Sequence, residues 1–466
     1  MGTTSPDLFI ALDRSRPRGL RAQIEDGLRE AIRSGRLVPG TRVPSSRALA
    51  ADLAVTRGVV VEAYEQLAAE GYVTMVQGSG TVVNDVAARS ELAAPRAAGP
   101  SSAPLTHDFR TGLPDLSLFP RAAWVRATRA ALASMPDAEL GYVDPAGLPR
   151  LRASVAAYLG RVRGVACGPD QVVVCNGFGH GFSLVVRALV DRGVTDFAVE
   201  VPGYREPRDQ IRWAGARVHP IPVDDEGVRT DDLARRRRVG AVVVTPAHQS
   251  PTGVVLSANR RTALAEWSRA TGGYVVEDDY DAEYRYDRQP VGALQGVMPD
   301  RAIYHGTLSK SLAPGIRLGW LVLPPDLVDE VVEARRATDQ MTAPLIQATF
   351  AHFLDSGDLD RHLRRSRRIY RERRDALVAA LGRSLPDARV EGVSAGLQVF
   401  VTLPPGWDSA SVVATARRHG IGVYQVDDPE MDPGQRAASL VLGYGTQRPD
   451  QIEEGIRRLA SALPGR

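Results

Sequence analysis

The chain is almost without lysine: of its 58 basic residues, Lys310 alone is a lysine and the other 57 are arginines. Arginine replaces lysine for surface charge or phosphate contact, but its delocalised guanidinium stays protonated and cannot condense with an aldehyde. The amine kept at position 310 can lose its proton and form a Schiff base. Cysteine is scarce as well. Cys167 and Cys175 are too few for a disulfide framework, and no Cys/His spacing marks a metal site, so no metal is expected. No apolar run approaches the roughly 18 residues that cross a bilayer, which excludes a membrane span. The first residues lack the basic-then-apolar pattern of an export signal. A reducing cytoplasm is the expected setting. Net charge is only +3 over 466 residues, so nucleic-acid contact has to come from a local patch.

At this length two or three domains are expected. Residues 86–105 are rich in Ala, Pro and Ser, have no apolar periodicity, and read as a flexible linker between a domain at 8–85 and one at 106–466. In the first domain, Ser45 follows Pro44 and can cap a helix over about 46–53. Thr56 is a second N-cap, for a helix from Arg57 to about Ala69 that Gly71 stops. Val60, Tyr64 and Leu67 share one face of it. Two short helices joined by a tight turn make a helix-turn-helix. Residues 72–83 read as two short strands around Gln77, Gly78, Ser79 and Gly80, a wing.

Between residues 33 and 57 there are five arginines and one acid, a local net +4. Arg57 stands where the second helix begins and base edges would be reached. Arg42 and Arg47 flank the first helix, and phosphate contact is their expected use. With Ser45, Thr56, Gly78 and Gly80 they make the expected DNA surface; a solvated protein-docking face is the alternative. The run GRLVPGTRVPSSRALAADLAVTRGVVVEAYEQLAAEGYV, with GSGTVV after it, closely resembles the winged helix-turn-helix of the GntR family of bacterial regulators. The resemblance implies sequence-specific binding of double-stranded operator DNA by a pair of such heads.

Beyond the linker, short and almost wholly apolar segments at 171–175, 196–201, 241–245, 274–277 and 302–305 alternate with amphipathic helices. That pattern implies a mostly parallel sheet covered on both faces. The last of these strands runs into Gly306-Thr307-Leu308-Ser309-Lys310, with Arg317 seven residues on. A phosphate held beside a lysine calls for small hydroxyls, free backbone N–H groups and an arginine fork. Upstream, Asn176-Gly177-Phe178-Gly179-His180 follows a strand and opens a helix, where backbone amides can cradle phosphate. Asp278 and Tyr280 are two apart and face the same side of an extended chain. There a carboxylate can pair with a protonated pyridine nitrogen and a phenol can hydrogen-bond an aromatic oxygen. Lysine, phosphate groups, acid and tyrosine at the carboxyl ends of strands together describe a pyridoxal phosphate site.

From about Phe109 onward the chain resembles the fold-type I aminotransferases. The matching stretches are LPDLSLFP, YVDPAGLPRLR, NGFGHGF, VPGYREPR, TPAHQSPTG, EDDYDAEYRY and GTLSKSLAPGIRLGW. The resemblance implies that Lys310 carries the internal aldimine with pyridoxal 5′-phosphate and that Asp278 partners the pyridine nitrogen. It implies Tyr280 as ligand of the ring oxygen and Phe178 as the stacking ring. Thr307, Ser309, Arg317 and the amides of Gly177 to Gly179 surround the phosphate, and Tyr142 reaches across to the phosphate of a partner subunit in a homodimer. A GntR-type head on such a body is the architecture of the MocR/GabR group of regulators. That implies a regulator sensing an amine, an amino acid or pyridoxal phosphate itself; an active aminotransferase with an accessory head is the alternative.

The pattern departs in one respect that bears on substrate. Aminotransferases of this fold carry an arginine near the C-terminus for the substrate carboxylate, and here Val441 stands in its place. The asparagine of the usual Asn-Pro-Thr-Gly is Ser250. A buried carboxylate without a cationic fork is disfavoured, so turnover of an ordinary α-amino acid requires Arg205 or Arg208 to enter the effector site. The arginines at 361–374 read as a solvated helix face.

Overall fold

The computed structural model describes residues 10–15, 19–76, 80–85, 105–281, 283–286, 291–426 and 437–463. The chain divides into two compact units, Met1–Ser102 and Ala103–Arg466. The linker read at 86–105 lies outside the described residues, apart from Leu105, as does Gly78 of the wing.

In the first unit, α1 (Leu20–Arg33), α2 (Ser46–Asp52) and α3 (Arg57–Ala69) precede β1 (Val73–Val76) and β2 (Gly80–Val83). The strands pair antiparallel, Val73 opposite Val83. Ser45 caps α2 as expected, its hydroxyl accepting from the Ala48 N–H at 3.2 Å. Thr56 holds the N-cap position of α3 but makes no side-chain capping bond. This corrects the sequence reading: at Thr56 the extended backbone (φ −70°, ψ 146°) alone turns the chain into the helix. Val60, Tyr64 and Leu67 are buried against Ile24, Leu28 and Ile32 of α1 and Leu49 of α2. The Tyr64 hydroxyl donates to the Pro44 carbonyl at 2.7 Å, tying the entry to α2 onto α3. Gly71, at φ +81°, ends the helix in a conformation that only glycine adopts without strain.

The second unit is built on an eight-stranded sheet. Its order is Val172–Cys175, Gly319–Val322, Ala302–Thr307, Tyr274–Asp279, Ala241–Val244, Asp196–Val201, Arg217–Asp224 and Gly227–Val228. The pairs from Ala302–Thr307 through Arg217–Asp224 run parallel. Gly319–Val322 is antiparallel to both of its neighbours. The strands at 172–175, 196–201, 241–244, 274–279 and 302–307 are buried at every position, which is why apolar residues predominate over much of their length. A smaller antiparallel sheet joins Arg389–Glu391, Gln398–Thr402, Ser439–Gly443 and Tyr424–Gln425.

The helix Asp358–Ser384 carries the arginine cluster, and the solvated-face reading holds for only part of it. Arg361, Arg364, Arg365 and Arg368 are exposed. Arg373 is buried and donates to Asp115 at 2.6 Å, and Arg367 donates to the Glu283 carbonyl at 2.6 Å. These two face inward because the helix packs against the body, and each finds an oxygen there. Among the described residues no helix is long and apolar enough to cross a membrane.

Candidate functional site

The carboxyl ends of the parallel strands converge on a cavity of about 380 Å³. Lys310, Asp278, Tyr280, Phe178, Gly179, Thr307, Ser309 and Arg317 all line it, so residues spread over 140 positions of sequence meet in one place. Asp278 closes the strand Tyr274–Asp279, whose alternation sends its neighbours the other way. Asp279 accepts from the Arg163 guanidinium at 2.7 Å and from the Tyr304 hydroxyl at 2.6 Å. Asp278 is 7% exposed, and its buried Oδ1 has no hydrogen-bond partner. Burial, and then the adjacent Asp279 charge, push the Asp278 carboxyl well above the usual carboxylate range. An orphaned buried carboxyl oxygen facing a cavity fits a ligand that brings its own N–H.

Lys310 follows the strand Ala302–Thr307 and donates to the Gly112 carbonyl at 2.7 Å. Burial lowers the pKa of its amine, against the opposing pull of Asp281, Asp278 and Glu206. A side chain at Gly112 would begin 3.1 Å from Nζ, so the glycine leaves the amine its room. Thr307 donates to Ser309 at 3.0 Å, and the Ser309 N–H donates back to Thr307 Oγ1 at 3.2 Å, a small turn that presents both hydroxyls. Gly177 is the N-cap of the helix Phe178–Asp191 at φ +87°. A β-carbon there would lie 3.4 Å from the Arg317 guanidinium, so loop, helix N-terminus and arginine fork are adjacent, the arrangement that holds phosphate. Tyr280 is fixed by His248, whose Nδ1 lies 3.1 Å from its hydroxyl and 3.0 Å from Asp281.

Other residues fall elsewhere. Tyr142 is 86% exposed and does not line this cavity. Arg205 is exposed and pairs with Asp209 at 3.2 Å, while Arg208 is 6% exposed and buried in the body. Neither lines the cavity, which corrects their assignment to an effector site: the helix Glu206–Trp213 turns Arg205 outward and Arg208 into the packing. The same stretch sends in Tyr204 and Glu206 instead. Phe178 does reach the cavity, but its ring stacks on Phe182 at 5.5 Å and meets His305 edge-on at 4.9 Å. Tyr204 keeps 53% of its surface exposed and offers the freer face. Tyr204, Glu206, Gly112, His248 and Arg163 were missed in the sequence. The first two lie in a stretch that the sequence does single out, but nothing in it says which side chains turn inward.

In the first unit, Arg47, Thr56 and Arg57 are exposed around the start of α3, with Arg42 beside them on the loop that bridges to Val82. Arg57 reaches Ser46 at 3.3 Å. Gly80, at φ +95°, opens β2.

Comparison with known proteins agrees with this division. Residues 20–83 match the family of bacterial regulatory proteins of the gntR type, and residues 111–436 match aminotransferase class I and II. The probable rhizopine catabolism regulatory protein MocR of Rhizobium meliloti is 33% identical over 98% of this chain and 96% of its own length. The HTH-type pyridoxine biosynthesis transcriptional regulator PdxR of Corynebacterium glutamicum is 32% identical over 98% and 99%. Among solved structures, the α-aminoadipate aminotransferase LysN of Thermus thermophilus is similar at 27% identity and a TM-score of 0.67, over 76% of this chain and 91% of that one. The orphaned Asp278 oxygen, the buried amine and the phosphate-type loop are thus what the family's cofactor, pyridoxal 5′-phosphate, requires. With both halves matched and full-length relatives alike along nearly the whole chain, the protein belongs to the MocR-type transcriptional regulators, a GntR-family DNA-binding head joined to a fold-type I aminotransferase body.

Proposed function

We propose that the chain, as a homodimer with a head at 8–85, a linker at 86–105 and a body at 106–466, reports an amine-type ligand to operator DNA. The body holds pyridoxal 5′-phosphate at Lys310, and capture of an amine or amino acid, or the presence of the cofactor itself, sets the conformation that the heads transmit. The observation that carries this reading is the meeting of the chain's one lysine with the unpartnered Asp278 carboxyl in a single cavity.

When bound, the cofactor supplies an electrophilic carbon that a neutral amine attacks reversibly. The chain's residues prepare for it. Burial holds a larger fraction of the Lys310 amine neutral than in a solvated lysine, and the Gly112 carbonyl aims it into the cavity. Asp278, whose Oδ1 is unpartnered, would hold the proton-bearing pyridine nitrogen, and Tyr280, held by His248, would hydrogen-bond the ring oxygen. Thr307, Ser309, Arg317 and the backbone of Gly177 to Gly179 take the phosphate. Phe178 on the cavity wall would stack on the ring. The protruding Tyr142, with Leu140 exposed two residues before it, supports a partner subunit on that side. Val441 is 6% exposed and pairs with Phe400 and Tyr424 inside the smaller sheet, so no guanidinium stands at the usual carboxylate position. That favours sensing over sustained transamination of α-amino acids.

Two measurements test the reading together. After incubation with pyridoxal 5′-phosphate and borohydride, the wild type is expected to keep a covalent chromophore through denaturation and Lys310→Ala to lose it. The wild type is also expected to retard its own upstream DNA, with affinity falling by orders of magnitude between roughly 50 and 200 mM salt. Retention of the chromophore by Lys310→Ala, or turnover of an amino donor with no DNA retardation, overturns it.

A further inference from the structure

We infer that Glu206 selects the effector, and that the effector is a primary amine with a second cationic nitrogen at its far end, a diamine or polyamine. This rests on the body being an effector site. Among the described residues, four charged side chains line the cavity: Lys310, Arg317, Asp278 and Glu206. Before an effector is captured the cofactor would engage three of them, Lys310 at its aldehyde, Arg317 at its phosphate and Asp278 at its ring nitrogen; an incoming amine displaces the Lys310 amine, which returns to the Gly112 carbonyl that holds it at 2.7 Å. Glu206 is the charge left over, and its sign is negative.

Its own contacts leave it able to take a cation. Among the described residues, Oε2 accepts from the Tyr204 hydroxyl at 2.5 Å and Oε1 from the Gln210 amide at 3.5 Å, the outer limit of a hydrogen bond. Neither partner carries a positive charge. The helix Glu206–Trp213 begins at Glu206, and a β-carbon on Gly179 would meet Oε1 at 2.5 Å, so the carboxylate lies on the cavity wall beside the loop 176–180. Tyr204, half exposed over the same space, adds an aromatic face of the kind that ammonium groups favour. The other wall residues not assigned to the cofactor, Thr111, Ser250, Pro314 and Gln398, are uncharged, and the arginines at 205 and 208 do not line the cavity. A carboxylate-bearing effector would therefore meet a like charge where a diamine meets an opposite one.

The test uses the full-length protein loaded with pyridoxal 5′-phosphate and titrated with 1,4-diaminobutane, butylamine and 4-aminobutanoate. These share one chain length and differ at the far end. Binding is followed by the visible band and, independently, by the heat of binding. The diamine is expected to have the lowest midpoint, at least about fivefold below butylamine, with 4-aminobutanoate the highest. Glu206→Gln should bring diamine and monoamine to a common midpoint, and Glu206→Arg should reverse the order. Equal midpoints in the wild type, or a diamine preference that survives Glu206→Gln, overturn the role of Glu206 and leave the effector-site reading standing. A band that responds to none of the three overturns the role of Glu206 together with the capture of amines on which it rests.

Discussion

The two units use charge in opposite ways. Around α3 the head sets Arg42, Arg47 and Arg57 on its surface, over a core of Ile24, Leu28, Leu49, Val60 and Leu67. The body, besides exposed arginines of its own, also takes charges inside: Glu277, Asp278, Asp279 and Arg163 are all buried near the carboxyl ends of its strands. Exposed arginines bind a polyanion through long-range, salt-screened attraction. Buried groups act over a few ångströms, resist screening, and are costly unless each has a partner. In the body Asp279 has two partners within the chain, and Asp278 is left for a ligand. A surface charge therefore advertises binding to something large, and an unpaired buried charge to something small.

The contrast can be broken experimentally, most severely at Asp278. Asp278→Asn is expected to weaken pyridoxal 5′-phosphate binding roughly a hundredfold, read by the visible band under dilution, because the buried partner of a charged nitrogen is lost. DNA retardation without cofactor should be unchanged. Glu277 sharpens the same point through pH. Burial, and then the Asp279 charge, raise its pKa to about 7, above the value of an unfolded glutamate. The folded state thus holds this proton where the unfolded state has released it, so stability from this group is present below about pH 4.5 and is lost as pH rises toward about 7. Glu277→Gln is expected to raise the melting temperature more at about pH 8 than at about pH 5; an equal shift at both would contradict the burial argument.

Arg57→Ala addresses the other side of the comparison. It should weaken operator binding about tenfold and lower the salt slope by about one, while the cofactor band stays as in the wild type. A loss of colour with intact retardation would reverse the assignment of the two units. The smallest effect belongs to Ser45→Ala, expected to cost about 1 kcal/mol of head stability through loss of the cap to the Ala48 N–H, measured by denaturant titration. Thr56→Ala, at a position without a side-chain cap, should cost less.

Legibility in the sequence followed periodicity and local geometry. The strands read at 171–175, 196–201, 241–245, 274–277 and 302–305 announced themselves because burial on both faces favours apolar residues along most of each. The helix α3 and the wing were equally plain, set by a 3.6-residue apolar spacing and by glycines. Glu277, Asp278 and Asp279 were the harder case. They are chemically alike in sequence, and only the packing of Arg163 and Tyr304 against one face of the strand separates the ligand-facing acid from the structural ones. Arg205 and Arg208 were chosen for their charge, while the rotation of an eight-residue helix turned Glu206 inward.

The sequence alone determined the kind of chemistry at hand, because a solitary amine among 57 guanidiniums, followed by a phosphate-type loop and arginine, needs no fold to be meaningful. It also determined the division into a helix-turn-helix head and a layered α/β body, since side-chain period is a local property. Tertiary structure alone decided which residues of each motif face the cavity and which charge is left unpaired there. Those depend on contacts between segments far apart in the chain, and no local pattern encodes them.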